Sequence, residues 1–236
     1  MEIKNIYNKI SKQYHQESTD GFYHAYVEMP AVKKMFAGNN FAGKKILDIG
    51  CGPGRYSRWA LNQGAKVYGI DPSEKFLKIA QDENPQGNFI LGTANKLPFK
   101  NSTFEYIVSG LAVEHEKNLK HAFQEVYRTL KKNGLFVFSG INSLMAITKK
   151  VEENCYTFDR YFTENKRLLR LPTFGVNLPF YHRTLETIIK LALGTGFIIE
   201  DYSDAKPIKI SQKKFPEKYL KNINRPFCFV LKLRKR

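Results

Sequence analysis

Tryptophan occurs once in this chain, cysteine three times, and acidic residues are well outnumbered by basic ones. Cys51, Cys155 and Cys228 form no CxxC pair and no even framework, which excludes a thiolate zinc site and a disulfide scaffold and predicts a reducing, cytoplasmic setting. No apolar run approaches the length of a membrane span, and Met1-Glu2-Ile3-Lys4-Asn5 leads into polar sequence without a signal-peptide core, so no membrane association is expected. Internal repeats and low-complexity tracts are absent as well.

What remains is a globular composition of 236 residues, 42% hydrophobic, 14% aromatic and 25% charged. A chain of that length suits one α/β domain burying about 70% of the surface its unfolded form exposes. The 38 Lys and Arg against 22 acidic residues give a net charge of +16, which attracts phosphate backbones, anionic membranes or acidic small molecules alike. The charge is spread along the chain, so we read it first as a lysine-rich composition; nucleic acid is not the favoured partner.

Residues 1–42 place Ile3, Ile6, Tyr7, Ile10, Tyr14, Phe22, Tyr26 and Val32 at helical spacings, interrupted near Asp20-Gly21, and predict a helical cap. From residue 43 to 140, short apolar runs alternate with amphipathic stretches. The spacing predicts strands over 45–49, 66–70, 88–91, 106–109 and 135–138, with helices over 55–63, 73–81 and 119–130 between them. Such alternation implies a parallel sheet. The rhythm is lost over 141–183, which reads as an insertion or lid carrying Tyr156, Phe158, Tyr161, Phe162 and Phe174. Residues 184–236 resume with a helix over 184–193 and strands over 196–202 and 226–233, completing a single domain.

The chemically informative residues begin with Asp48-Ile49-Gly50-Cys51-Gly52-Pro53-Gly54, at the carboxyl end of the first strand, where open α/β sheets bind ligands. The glycines allow close backbone approach. A dinucleotide fingerprint requires its third glycine where Arg55 stands, and a P-loop requires a Gly-Lys-Ser or Gly-Lys-Thr that does not follow. The second strand ends in Asp71-Pro72, whose carboxylate suits a ribose diol, or alternatively opens a turn and caps the next helix.

These segments resemble the class I S-adenosylmethionine-dependent methyltransferases, in particular their small-molecule group. Ile46 to Gly54 is similar to that family's first motif and Val67 to Ser73 to its second. The resemblance implies a Rossmann-like, seven-stranded, mostly parallel sheet with helices on both faces, its last strand antiparallel, an N-terminal helical cap and an insertion after strand five. It implies S-adenosylmethionine as cofactor and S-adenosylhomocysteine as product. Asp48, Gly50, Cys51, Gly52, Gly54, Asp71 and Pro72 would hold it. Thr93-Ala94 stands where the family usually has Asp-Ala, meeting adenine through the Asp side chain and the Ala backbone. Ser109 and Leu111 would add contacts below the methionine end, and Tyr14 would close over it.

For catalysis the candidates are His115, beside an acid at the sheet's edge, and His182, in a Tyr181-His182-Arg183 segment resembling one that borders acceptor pockets; both could instead be structural. No metal is expected. The partner is read as a small-molecule methyl acceptor, with the protein a monomer or homodimer. An RNA methyltransferase is the alternative, suggested by the basic balance and the Lys232-Leu233-Arg234-Lys235-Arg236 ending, although no Asn-Pro-Pro-Tyr segment or Pro-Cys pair is present. A non-catalytic cofactor-binding protein is a third.

Overall fold

Successive strand residues point to opposite faces, and the first strand, β1 (Lys45–Ile49), buries both. Leu47 and Ile49 join one hydrophobic cluster and Ile46 the other, so the strand lies inside a sheet covered on both sides. The computed structural model describes residues 3–152, 155–158 and 160–236. In it β2 (Lys66–Asp71) and β4 (Phe104–Gly110) flank β1 in parallel, β3 (Asn88–Leu91) lies outside β2, and β5 (Leu130–Ile141) outside β4. Beyond β5 come β11 (Cys228–Lys235) and β10 (Phe197–Asp204), giving the order β3-β2-β1-β4-β5-β11-β10. Only β11 runs against its neighbours in this sheet.

One face is covered by α5 (Leu119–Thr129) and α6 (Leu185–Thr195), which bring Phe123, Val126, Ile188 and Ala192 onto Phe104, Phe136 and Phe138. Fully buried phenylalanines of this kind contribute roughly 2–3 kcal/mol each. The other face receives α3 (Arg55–Leu61) and the cap, where α1 (Ile3–Asp20) leads through a π-helical turn, His24–Glu28, into α2 (Met29–Met35). Only glycine fits at the break: a Cβ at Gly21 would lie 2.3 Å from the Glu17 carbonyl oxygen. α4 (Glu74–Glu83) starts at Ser73, whose hydroxyl accepts from the Phe76 amide as an N-cap and donates to Asn8 Oδ1 of α1 at 2.6 Å.

Three features differ from expectation. The fifth strand, expected from residue 135, already starts at Leu130, and the extra residues are absorbed as a register shift with Asn133 at φ 61°. The stretch read as an insertion, to which the sequence pattern assigned no elements, forms two hairpins, β6 (Thr148–Glu152) with β7 (Cys155–Phe158) and β8 (Lys166–Leu171) with β9 (Val176–Tyr181). The side chains of Tyr156 and Phe158, expected among its aromatics, lie outside the described residues. Two short helices, α7 (Ser211–Lys214) and α8 (Pro216–Asn222), intervene before β11 and send Phe215 against Phe22 and Tyr26 of the cap. Among the described residues no helix is long and apolar enough to cross a membrane.

Candidate functional site

The turn after β1 is built from main-chain strain that only glycine relieves cheaply. Gly50, Gly52 and Gly54 have φ of 65°, 52° and 86°. Gly50 and Cys51 donate their amides to the Ile70 carbonyl at 2.7 and 3.1 Å, folding the turn back over the end of β2. A Cβ on Gly50 would sit 2.2 Å from the Ala112 methyl, whereas one on Gly52 would meet nothing within 4 Å, so at Gly52 the chain faces open space. Asp71 closes the turn from below: Oδ2 accepts from the Gly52 amide at 2.9 Å and Oδ1 from the Ser73 amide at 2.8 Å. Burial pushes its carboxyl up to about 6, held back by these two amides.

Above this turn lies a cavity of about 420 Å³. Gly50, Gly52, Ile70, Asp71 and Pro72 form its floor, Gly92, Thr93 and Ala94 one side, and Gly110 to Val113 with His115 and Glu116 the other. Its roof comes from the cap and the second hairpin: Ile3, Lys4, Tyr7 and Tyr14 of α1, then Lys166, Pro179 and Tyr181. Tyr7 and Tyr14 pack edge to face and both lie tilted against Phe76, with centroids 5.3 to 5.7 Å apart. Burial raises the Tyr7 phenol well above its ordinary range and Tyr14 to about 12. Tyr14, Asp71 and Glu114 push Tyr7 the same way, whereas Arg55 opposes the rise at Tyr14.

Of the residues singled out from sequence, Gly50, Gly52, Asp71, Pro72, Thr93, Ala94, Leu111, Tyr14 and His115 meet at this cavity. Five do not line it. Asp48 points to the α3 face, where Oδ2 accepts from the Ser57 amide at 3.0 Å and hydroxyl at 2.7 Å; it caps α3 because Gly54, at the cap position, has no side chain to do so. Cys51 is buried beside Gly69, Gly54 is pressed against Ala80 and Asn84, and Ser109 is buried with its hydroxyl accepting from the Val113 amide. His182 is turned away: its Nε2 meets the Tyr161 carbonyl at 2.8 Å within the insertion. His182 therefore does not reach this cavity; alternation past the end of β9 points Tyr181 inward and carries the next ring to the opposite side.

Two further expectations change. The Ala94 amide, assigned to an adenine nitrogen, donates to Glu116 Oε1 at 3.1 Å. Arg183, read only as part of a motif, clamps the loop that carries His115, donating to the carbonyls of Glu114 at 2.9 Å, Glu116 at 2.6 Å and Lys117 at 3.1 Å. Glu116, Lys117, Lys166 and Pro179 were not anticipated at the cavity, because long-range pairing brings them there and their sequence carries no local signal for it. Among the described residues no group of three or more His, Cys, Asp or Glu side chains gathers as metal ligands would.

His115 donates one ring nitrogen to the Pro179 carbonyl and leaves Nδ1 buried without a partner. Burial lowers its pKa from 6.5 to about 4, so the ring is neutral at pH 7. Between those values the unfolded chain binds the extra proton, and stability falls as pH drops. The His115→Gln variant is expected to lose that term, gaining up to about 3 kcal/mol relative to the parent between pH 6.5 and pH 4. Urea unfolding at each pH measures it; parallel curves for the two proteins would refute a neutral buried imidazole.

Comparison with known proteins agrees with this geometry. A family profile described as a methyltransferase domain matches residues 47–138, the stretch holding β1 to β5 and the glycine turn. The structure of an S-adenosylmethionine-dependent methyltransferase from Mesorhizobium loti superimposes with a TM-score of 0.78 at 27% identity, covering 88% of this chain and 97% of that one. An uncharacterised protein from Haemophilus influenzae is 28% identical, covering 89% of this chain and 87% of its own length. The malonyl-[acyl-carrier protein] O-methyltransferase of Salmonella typhimurium is 29% identical over 58% of this chain, a match spanning about half (52%) of that enzyme. The seven-stranded order with one antiparallel strand, the glycine turn over Asp71 and these matches together give the chain a methyltransferase domain over residues 47–138 and the fold of the class I S-adenosylmethionine-dependent methyltransferases.

Proposed function

We propose that this protein transfers the methyl group of S-adenosylmethionine to a small-molecule acceptor that carries an anionic group. The observation that carries the reading is the roof: Tyr7, Tyr14, Pro179 and Tyr181 close over the carboxyl edge of the sheet and leave about 420 Å³ beneath, a volume suited to a cofactor and a small partner. Gly50 and Gly52 offer bare backbone, Asp71 offers acceptors for a diol, and the aromatic rings of Tyr7, Tyr14 and Phe76 suit a sulfonium. The cofactor supplies an electrophilic methyl carbon on sulfur. The chain supplies alignment in a site shielded from water, a contribution of as much as about 7–11 kcal/mol in favourable systems.

His115 supports the acceptor side of this reading. Its Nδ1 lone pair, buried, unpartnered and uncharged at neutral pH, would accept the hydrogen of an acceptor hydroxyl or amine that reaches it as the acceptor binds. At a pKa near 4 it is a weak base, which favours acceptors that ionise easily or lose their proton as the methyl arrives. Lys4, Lys117 and Lys166 surround the mouth and would draw in a carboxylate or phosphate through long-range attraction.

The test is methyl transfer from radiolabelled cofactor to a fractionated metabolite extract, with cellular RNA in parallel. Label is expected in acceptors retained on an anion exchanger, with incorporation falling as salt is raised. Label confined to RNA would overturn the small-molecule reading. Label confined to cationic or neutral metabolites would overturn the anionic one.

A further inference from the structure

A second, smaller cavity of about 200 Å³ lies where α1, α2 and α3 meet beside the glycine turn. Lys33, Arg55 and Arg58 line it together with Trp59, His15 and Asn62, and no carboxylate is among its lining residues. Two of the three cations are matched from outside the lining. Arg55 donates through Nη2 to the buried Glu28 at 2.7 Å, and Arg58 pairs with Glu83, which also approaches the His15 ring at 3.6 Å. Lys33 is not matched: among the described residues it forms no ion pair, and its ammonium lies 5.8 Å from the centre of the Trp59 ring. Burial and the Arg55 charge both lower the Lys33 pKa, so this ammonium is held against a neighbouring cation with no anion of the chain to offset it.

We propose that this cavity is a phosphate site, taking inorganic phosphate or the phosphate group of a small monoester between Lys33 and Arg58, beside the Trp59 ring. Lys33 brings a point charge with three rotatable donors from α2. Arg58 and Asn62, four residues apart and so on one face at the end of α3, bring N–H groups that a tetrahedral oxyanion can share. A doubly charged oxyanion answers the unmatched ammonium and the field of the two guanidinium groups behind it better than a single carboxylate does. The volume is too small for a ligand of cofactor size and sufficient for one anionic group. The two cavities stand back to back on α1, whose Tyr14 roofs the larger and whose His15 and Thr19 line the smaller. The phosphate site is therefore separate from the methyl-transfer cavity, and its test needs neither cofactor nor turnover.

Trp59 is the single tryptophan of the chain, so its fluorescence reports on this cavity directly. Titrating the intact protein with inorganic phosphate at constant ionic strength, with chloride as the reference anion, is expected to change that emission along a saturable curve that chloride does not reproduce. Lys33 is exposed, so Lys33→Gln should fold like the parent, and it should weaken phosphate binding about 10-fold or more. Lys34→Gln removes the same charge from the next position of α2, outside the cavity, and should leave the curve unchanged. Glycerol phosphate, titrated in parallel, distinguishes the two sources: tighter binding of the monoester assigns the site to a phosphorylated metabolite, and tighter binding of inorganic phosphate assigns it to the free ion. An emission indifferent to phosphate, a change that stays linear in concentration or that chloride reproduces, or a curve undiminished in Lys33→Gln overturns the site. Equal losses in Lys33→Gln and Lys34→Gln would trace the binding to the general basic charge of the surface and overturn it as well.

Discussion

Asp71→Ala is expected to weaken S-adenosylhomocysteine binding by at least about 100-fold, or roughly 3 kcal/mol. Two losses combine. The carboxylate is the proposed acceptor for the ribose diol, and it also holds the Gly52 and Ser73 amides at 2.9 and 2.8 Å; without it two buried donors are stranded and the glycine turn loses its lower anchor. Asp71→Asn separates these contributions, since an asparagine can satisfy one of the two amides but must present its own N–H₂ to the other. Its affinity should fall between those of the parent and the alanine variant. The pH dependence has a definite sign: with the carboxyl at about 6, the group is ionised above that value, so binding should weaken as pH falls through it. Titration calorimetry at pH 5, 6 and 7.5 reads both effects, and an Asp71→Ala protein that folds and binds like the parent would remove Asp71 from the site.

The contrast between Asp71 and Asp48 shows how far local sequence reaches. Both acids end buried strands next to glycines, and the sequence pattern marks both as ligand contacts. Which face each carboxylate takes depends on strand alternation and on the helix behind it. Asp71 is the last residue of its strand and lies along the cavity floor, whereas Asp48 is one residue short of the end of β1 and serves Ser57. The parallel core was legible because each βα unit is short and writes its turn, cap and apolar run locally, as Ser73 and Gly50 do. The hairpins of the insertion were not, because β8 shows only exposed and half-buried alternation over Lys166–Leu171 and gains its order by pairing with β9. For the same reason Glu116 and Pro179 escaped notice: their place at the cavity is set by contacts across 21 and more residues of chain. The helices α7 and α8 are short, rich in lysine and poor in period, so they carried little signal to read.

Glu28 shows the same limit with a larger energy attached, and its replacement should be the most destabilising single change in the cap. It is completely buried, with Oε2 accepting from Arg55 at 2.7 Å and Oε1 from the Tyr56 hydroxyl at 2.6 Å and the Ser139 hydroxyl at 2.7 Å. Ser139 in turn accepts from the Leu111 amide at 3.0 Å, and Leu111 is held at φ 51° on the cavity wall. One carboxylate thus ties the cap, α3, β5 and the cavity together. Glu28→Ala leaves the Arg55 guanidinium buried without its counter-charge and should cost about 3–5 kcal/mol, a fall of roughly 10 °C in the thermal midpoint of a chain this size. Burial alone would raise the Glu28 pKa, but Arg55, His24 and the two hydroxyls bring it below its ordinary value. Its contribution is therefore present above the unfolded carboxylate range and is lost as pH falls. The gap in stability between the parent and Glu28→Gln should accordingly narrow in acid, opposite in sign to Glu114, whose carboxyl burial pushes up to about 7. A gap that stays constant from pH 7 to pH 3 would mean that Glu28 acts through packing and not through charge. If charge is what matters, Glu28→Gln should loosen Leu111 first, and the cavity wall should exchange its amide hydrogens faster before the sheet itself opens.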